Sequence, residues 1–240
     1  MRVTLAQTSP KLNRTNLQDA ITCINSVKES SDLIVFPELS LSGYLLQDKL
    51  FEDAWSFDEL SLFETLSKDI DIVIGAALRD GDVFRNMGLY YSNGKLISKH
   101  IKVHLPNYGM FEEARYFEGG DTFEVFSVHA KKVSMLICED LWHKGVHEEL
   151  IELNPDFIIV LVASPARGFN ENSLEIQEKW YKIITTVAKE CDAKLLFVNR
   201  VGFEDGLGFW GGSCVVDNDG TIIQQLPLFQ EALQTFTIEE

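Results

Sequence analysis

The sequence predicts an α+β chain, and three observations carry that prediction. Short apolar segments rich in β-branched residues recur along its length: Val3–Gln7, Asp32–Phe36, Asp71–Leu78, Asp156–Ala163 and Lys194–Val198. Between several of them lie stretches with apolar residues at helical spacing. Ser92-Asn93-Gly94, between Asn86–Tyr91 and Lys95–His100, is a hairpin signal, because Asn-Gly adopts positive φ at little cost. Helix-linked strands are therefore mixed with antiparallel pairing.

Composition narrows the function classes. The 240 residues fit one large domain with a real core, and 45% hydrophobic with 24% charged residues is ordinary for a globular protein. A net charge of −16 argues against nucleic acid and against an anionic membrane surface, which both require basic patches. No apolar run reaches membrane-spanning length and the N-terminus carries no signal-peptide pattern. Cys23, Cys138, Cys191 and Cys214 are far apart and lack paired zinc spacing, which fits a reducing cytoplasm with no disulfides.

After the first strand, Leu17, Ala20, Ile21, Ile24 and Val27 fall on one face of a helix beginning at Asn16. The strand Asp32–Phe36 is stopped by Pro37, which cannot donate to a ladder. Ser56 and Glu59 have capping-box spacing and open a helix with Leu60, Phe63 and Leu66 inward. Beyond the Asn-Gly hairpin, residues 99–120 are dense in polar and aromatic residues without clear periodicity, and read as a structured loop with one helical turn. Phe123–Val128 and Lys132–Ile137 read as an antiparallel pair, and His143–Leu153 as a helix. A long helix from Ser173 to Cys191 should turn Ile176, Trp180, Ile183, Ile184 and Val187 inward. Gly202–Gly212 reads as a glycine-rich loop. Ser213–Asp217, Thr221–Leu226 and Gln234–Ile238 are the last strands, with a turn at Asn218-Asp219-Gly220 between the first two.

Chemistry gathers where strands end. Val133–Ile137 is apolar, and the chain turns polar at Cys138, followed by Glu139 and Asp140. Ligand crevices in α/β sheets lie at the carboxyl ends of strands. A lone cysteine is more often a small core hydrophobe, and a nucleophilic one needs a base and a cation to favour its thiolate. Glu38, directly after Phe36-Pro37, occupies the same kind of position, although most glutamates are simply solvated. Lys102, in the polar loop, is the candidate cation.

Two other patterns are weak. Gly206-Leu-Gly-Phe-Trp-Gly211 matches the dinucleotide glycine spacing but leads into a strand rather than a helix. His143 and His147 lie one helical turn apart without a third ligand at zinc spacing, so no metal is expected.

Phe-Pro-Glu at 36–38, the Lys102 loop and Ile-Cys-Glu-Asp at 137–140 together resemble the nitrilase, or carbon–nitrogen hydrolase, superfamily, whose Glu-Lys-Cys triad has this chain order. Leu105–Phe117, Cys138-Glu-Asp-Leu-Trp142, Asn199-Arg-Val-Gly202 and Gly211-Gly-Ser213 resemble more closely the glutamine-hydrolysing domain of NAD synthetases. Ala166-Arg-Gly-Phe169 and the eight residues after Gly202 depart from that pattern.

The resemblance implies a single domain over residues 1–240, a four-layer α-β-β-α sandwich, and homodimers or higher homo-oligomers. It implies a cofactor-free amidase that cleaves a small linear amide through a thioester. Glu38 would be the base, Cys138 the nucleophile, and Lys102 with the Glu139 backbone N–H the oxyanion donors. A second acid, Glu112 or Glu113 with Glu113 favoured, would position Lys102 or water. Tyr108, Glu139 and Ser164 would contact substrate. Two alternatives stay open: a glutaminase subunit supplying ammonia to a separate NAD synthetase chain, and a catalytically idle binding module.

Overall fold

A computed structural model describes residues 1–171 and 173–239. The first half gives β1 (Arg2–Gln7), α1 (Asn16–Val27), β2 (Leu33–Val35), α2 (Leu50–Asp53), α3 (Phe57–Leu60), α4 (Leu62–Leu66), β3 (Asp71–Asp80), β4 (Val83–Ser92), β5 (Lys95–Ile101) and α5 (Glu113–Tyr116). The second gives β6 (Phe126–Val128), β7 (Lys131–Ile137), α6 (Lys144–Leu153), β8 (Phe157–Val162), α7 (Glu175–Glu190), β9 (Lys194–Asn199), β10 (Val201–Glu204), β11 (Leu207–Trp210), β12 (Cys214–Val216), β13 (Ile222–Gln225) and β14 (Ala232–Thr237).

Two six-stranded sheets result, ordered β14-β1-β2-β3-β4-β5 and β13-β12-β9-β8-β7-β6. In the first, β1, β2 and β3 run parallel, β4 pairs antiparallel with β3, and β5 pairs antiparallel with β4; in the second, β7, β8 and β9 run parallel. Strand alternation sorts side chains between the two faces of each sheet. Leu5, Val35 and Val73 meet Met135, Ile159 and Val198 between the sheets. Their neighbours Ile34, Phe36, Ile72 and Ile74 face outward under Ala20, Ile24, Leu60 and Phe63. On the other outer face, Leu136, Ile158, Val160 and Phe197 lie under Val146, Leu150, Trp180 and Ile184. The layers are thus α-β-β-α.

Several boundaries differ from the sequence expectation, each for a local reason. The Ser56 capping box forms, with Glu59 N–H on Ser56 Oγ at 3.3 Å and Ser56 N–H on Glu59 Oε2 at 2.9 Å. The helix then breaks at Ser61, whose hydroxyl bonds the Asp58 carbonyl at 2.6 Å and competes with the helical ladder. Gly202–Gly212 is mainly the hairpin β10–β11 rather than a loop. Asp205 and Gly206, at φ 47° and 82°, make the positive-φ turn that Asp-Gly favours. β3 and β4 form a hairpin through Gly81-Asp82 that is longer than the apolar pattern showed. Only Phe126–Val128 of the segment from Phe123 pairs with β7, because Phe123 stacks on the His100 ring with centroids 5.6 Å apart. Helix α7 begins at Glu175, and Ile183 lies at the margin of its buried face. Among the described residues no helix is long and apolar enough to cross a membrane.

Candidate active site

The carboxyl ends of β2, β5, β7, β8 and β9 meet at one end of the sandwich, and the polar residues that stop these strands meet there too. Glu38 follows β2 by way of Phe36-Pro37, Lys102 follows β5, Cys138 follows β7, Ala163 and Ser164 follow β8, and Arg200 follows β9. Two backbone features set the first and third. Gly75 on β3 lets the Pro37–Leu39 segment lie directly on the strand: a Cβ there would stand 2.5 Å from the Pro37 carbonyl oxygen and 2.7 Å from the Leu39 nitrogen. Cys138 starts a tight 3₁₀ turn, Cys138–Trp142, at φ 46°, a left-handed conformation that a non-glycine residue adopts only under constraint.

Lys102 is fully buried and its ammonium is shared between two carboxylates. Nζ donates to Glu38 Oε1 at 2.7 Å and to Glu113 Oε1 and Oε2 at 2.8 and 2.7 Å. Burial alone would push its pKa down, but Glu113 and Glu38 override it and hold the pKa well above the ordinary lysine value. Burial, opposed by Lys102 and reinforced by Glu38, pushes Glu113 up to about 7. Burial also raises the Cys138 thiol well above its ordinary value, with Glu38 adding to the effect and Lys102 opposing it. Cys138 is therefore held as a thiol rather than a thiolate.

Of the expected site residues, Glu38, Lys102 and Glu113 are bonded together, and Cys138 stands in their field. Glu112 is turned away into solvent beside Arg115 at 3.5 Å. A cavity of about 250 Å³ opens over Cys138, and Tyr108, Glu139 and Ser164 all line it. The Tyr108 hydroxyl donates to both Glu139 oxygens at 2.9 Å. Burial raises the Glu139 pKa, an effect that the Tyr108 hydrogen bond partly offsets. Ser164 is tied down: its N–H donates to Asn199 Oδ1 and its hydroxyl accepts from Trp180 Nε1, each at 2.9 Å. His143 and His147 diverge. The first stacks on His104 with centroids 3.6 Å apart, and the second contacts the Leu141 carbonyl at 2.7 Å. A larger cavity, about 390 Å³, lies between the sheets at the opposite strand ends, around Leu33, Asp71 and Phe157, and contains no member of this set.

Several partners of these residues escaped sequence reasoning. Asn86, buried on β4, donates Nδ2 to Glu38 Oε1 at 2.8 Å, and the Ala163 N–H donates to Glu38 Oε2 at 2.9 Å. Tyr44 donates its hydroxyl to Glu113 Oε1 at 2.5 Å, while its own N–H is held by Glu204 Oε1 at 2.9 Å. Glu204 is in turn paired with buried Arg200 at 2.6 Å. Asp140 accepts from Ile137 N, Val103 N, His104 N and His100 Nε2 at 2.8 to 3.0 Å, which ties the nucleophile turn to the chain just after Lys102. The available signal was a polar residue inside an otherwise apolar strand for Asn86, and a third consecutive polar residue after the strand for Asp140.

The sequence matches the carbon-nitrogen hydrolase family over residues 2–240. It is 32% identical to a glutamine-dependent NAD(+) synthetase of Acinetobacter baylyi, covering 100% of this chain and 44% of the relative. It also resembles the solved structure of a glutamine-dependent NAD+ synthetase from Acinetobacter baumannii: the TM-score is 0.85 at 32% identity, over 98% of this chain and 44% of that one. The chain thus spans less than half the length of these relatives. A CN-hydrolase superfamily protein from Xanthomonas campestris, solved with an arsenic adduct in its active site, shares the fold at TM-score 0.88 and 21% identity, over 100% of this chain and 90% of that one. Extending across nearly the whole sequence, the family match and the strand-end assembly of Glu38, Lys102 and Cys138 lead to one conclusion: this chain is a member of the carbon–nitrogen hydrolase family, within the nitrilase superfamily.

Proposed function

We propose that the chain is a thiol-dependent amidase acting on a small amide that carries an amino group and is glutamine-like in length. The observation that carries this reading is Lys102 Nζ held between Glu38 and Glu113 in the surroundings of Cys138, which itself lines a cavity sized for a small molecule. Glu38 takes the Cys138 proton as the sulfur attacks the amide carbonyl. The tetrahedral oxyanion is met by Lys102 and the Glu139 backbone N–H. The three ammonium protons already serve Glu38 and Glu113, so one Glu113 contact loosens as the oxyanion forms.

The proton on Glu38 passes to the departing nitrogen, the C–N bond breaks, and a thioester remains. Glu38 then deprotonates water, which attacks the thioester carbonyl, and the proton returns to the leaving sulfur. Glu113 keeps Lys102 in place. Glu139, steadied by Tyr108 and raised in pKa by burial, receives the substrate ammonium at the mouth.

The test is ammonia release across glutamine, asparagine, ω-amidated dicarboxylates, carbamoyl compounds and simple aliphatic amides, with intact-protein mass spectrometry after rapid quench. An acyl adduct on Cys138 from an amino-bearing amide is the expected result. An adduct on Cys23, Cys191 or Cys214, or uncharged aliphatic amides outperforming every amino-bearing one, would overturn it. A second reading is supported by the similarity to relatives named as NAD synthetases: the released ammonia would serve a separate synthetase chain. Ammonia-dependent activity of such a chain, driven by glutamine only when this protein is present, is its signature.

A further inference from the structure

A buried ion pair that the amidase chemistry does not use stands at the start of the hairpin β10–β11. Arg200, between β9 and β10, donates Nη1 to Glu204 Oε2 at 2.6 Å, and the two side chains are 1% and 3% exposed. A pair so withdrawn from water rarely stabilises a fold more than well-packed apolar residues would. Its other contacts show what it holds.

Arg200 Nη2 donates to the Pro10 carbonyl at 2.8 Å, and its guanidinium carbon lies 4.1 Å from the ring centroid of Phe209. Glu204 Oε1 accepts from the Tyr44 N–H at 2.9 Å and from the Leu45 N–H. Gly43 fits against this carboxylate because it has no side chain: at φ 81°, a Cβ would stand 2.9 Å from Glu204 Oε2 and 2.8 Å from the Lys11 carbonyl oxygen. Arg200 and Glu204 thus fix a segment, Gly43 to Leu45, that belongs to no helix or strand.

Tyr44 carries that hold to the reacting groups. Its hydroxyl donates to Glu113 Oε1 at 2.5 Å, and the same oxygen accepts from Lys102 Nζ at 2.8 Å. Phe111 and Phe209 meet its ring edge-on, at centroid distances of 6.4 and 6.1 Å. A continuous set of contacts therefore runs from Arg200 through Glu204, Tyr44 and Glu113 to Lys102.

We propose that Glu204 is a positioning residue for the reaction: held by Arg200, it sets the Tyr44 backbone so that the tyrosine hydroxyl keeps Glu113 on the Lys102 ammonium. This rests on the amidase reading and adds to it how the second acid is kept in place. The Tyr44 hydrogen bond favours the ionised form of Glu113. Activity that needs this form falls as pH drops through the Glu113 pKa, so loosening Tyr44 moves the fall to higher pH.

Tyr44→Phe, Glu204→Leu and Glu204→Gln test the relay, each assayed below its own melting transition with the amide from which the wild-type chain releases ammonia fastest. Tyr44→Phe should lower kcat about 10- to 100-fold, the loss expected for a hydrogen bond to a charged group, and should move the acid-side fall of kcat/KM to higher pH. Glu204→Leu should change both in the same direction. Glu204→Gln, whose amide oxygen can still accept from the two N–H groups, should recover part of each effect. Combined with Tyr44→Phe, neither Glu204 change should lower kcat or move the fall any further, whereas losses in melting temperature should add. Glu204→Leu leaves Arg200 buried without its partner, so Glu204→Gln carries the comparison should the leucine variant not fold. Wild-type kcat and pH profile in Glu204→Gln, or a kcat loss that multiplies with that of Tyr44→Phe, would overturn the proposal. Failure of the amidase reading is seen separately, as no ammonia and no Cys138 adduct from any amide with the wild-type chain.

Discussion

The Ala163 N–H donates to Glu38 Oε2 across 2.9 Å and lies near enough to Cys138 to favour its thiolate, so Glu38 and Cys138 flank one backbone amide. Glu38 stands on one sheet and Ala163 on the other. Oε1 accepts from both Asn86 and Lys102 and Oε2 from Ala163 alone, so Oε2 is the oxygen that the proposed proton transfer would use. Glu38→Gln should keep this geometry while removing the base, and an acyl-enzyme should accumulate if deacylation slows more than acylation. The measurement is the adduct fraction by mass spectrometry over time; an adduct that clears at the wild-type rate counts against Glu38.

Cys138→Ala should abolish ammonia release while thermal unfolding shifts by only a few degrees. Because residue 138 sits at φ 46°, Cys138→Gly should be at least as stable as Cys138→Ala, with relief of up to about 1 kcal/mol. Paired melting curves check it, and an alanine variant clearly more stable than the glycine one would remove the claim of strain.

Glu113 should give the activity an acid limb near neutrality. Its folded pKa of about 7 lies above the ordinary 4.5, so the native chain binds the extra proton between those values. The stability this group contributes is complete below about pH 4.5 and gone above about 7. Activity should rise over the upper part of that window as Glu113 ionises and grips Lys102. Glu113→Gln should stay on a low plateau and lose this component of the pH–stability curve. Denaturant titrations and kcat/KM from pH 5 to 8 test both arms; a variant that keeps the wild-type limb assigns it elsewhere.

Asp140→Ala should cost about 3–5 kcal/mol, because it strands three backbone N–H groups, that of Ile137 buried, and the buried His100 ring. Burial pushes the Asp140 carboxyl up, but His100 and the backbone donors outweigh it and leave the pKa below the ordinary 3.8. Its stabilisation is therefore present above that value and is lost as pH falls through the depressed one. Denaturant unfolding at pH 7 and near pH 3 should show the variant's deficit shrinking in acid.

Gly75→Ala should cost about 1–3 kcal/mol as overpacking, and should lower kcat more than it raises KM, since the displaced segment is the one that holds Glu38. Steady-state kinetics with calorimetric melting test this. A variant with normal kcat would show that the segment yields without moving the base.

The polarity switch after an apolar run was legible at Glu38 and Cys138, because a strand end is a local event in the sequence. Lys102 was legible only as the cation that a nucleophilic thiol would need, and Glu113 depended on resemblance, since nothing in the aperiodic loop marks which of two adjacent glutamates turns inward. Asn86 and Tyr44 were illegible for a different reason. Asn86 meets Glu38 through the register of β3 with β4, and Tyr44 is aimed by Glu204, 160 residues away. Such pairings are fixed by packing rather than by neighbours in the chain. The hairpin at Gly202–Gly212, by contrast, had its Asp-Gly turn in plain view, and the density of glycines hid it.

The pairing of β1 with β14 bears on how the protein is made. Val3 finds its partner Phe236 more than 230 residues later, whereas β2, the other neighbour of β1, is only about 30 residues downstream. During synthesis the outer edge of β1 therefore stays unpaired until β14 is made, after the intervening chain, Cys138 included. An open strand edge is a template for foreign strands. The nascent chain thus carries this exposed edge and the Cys138 thiol together until β14 has been made and closes the edge.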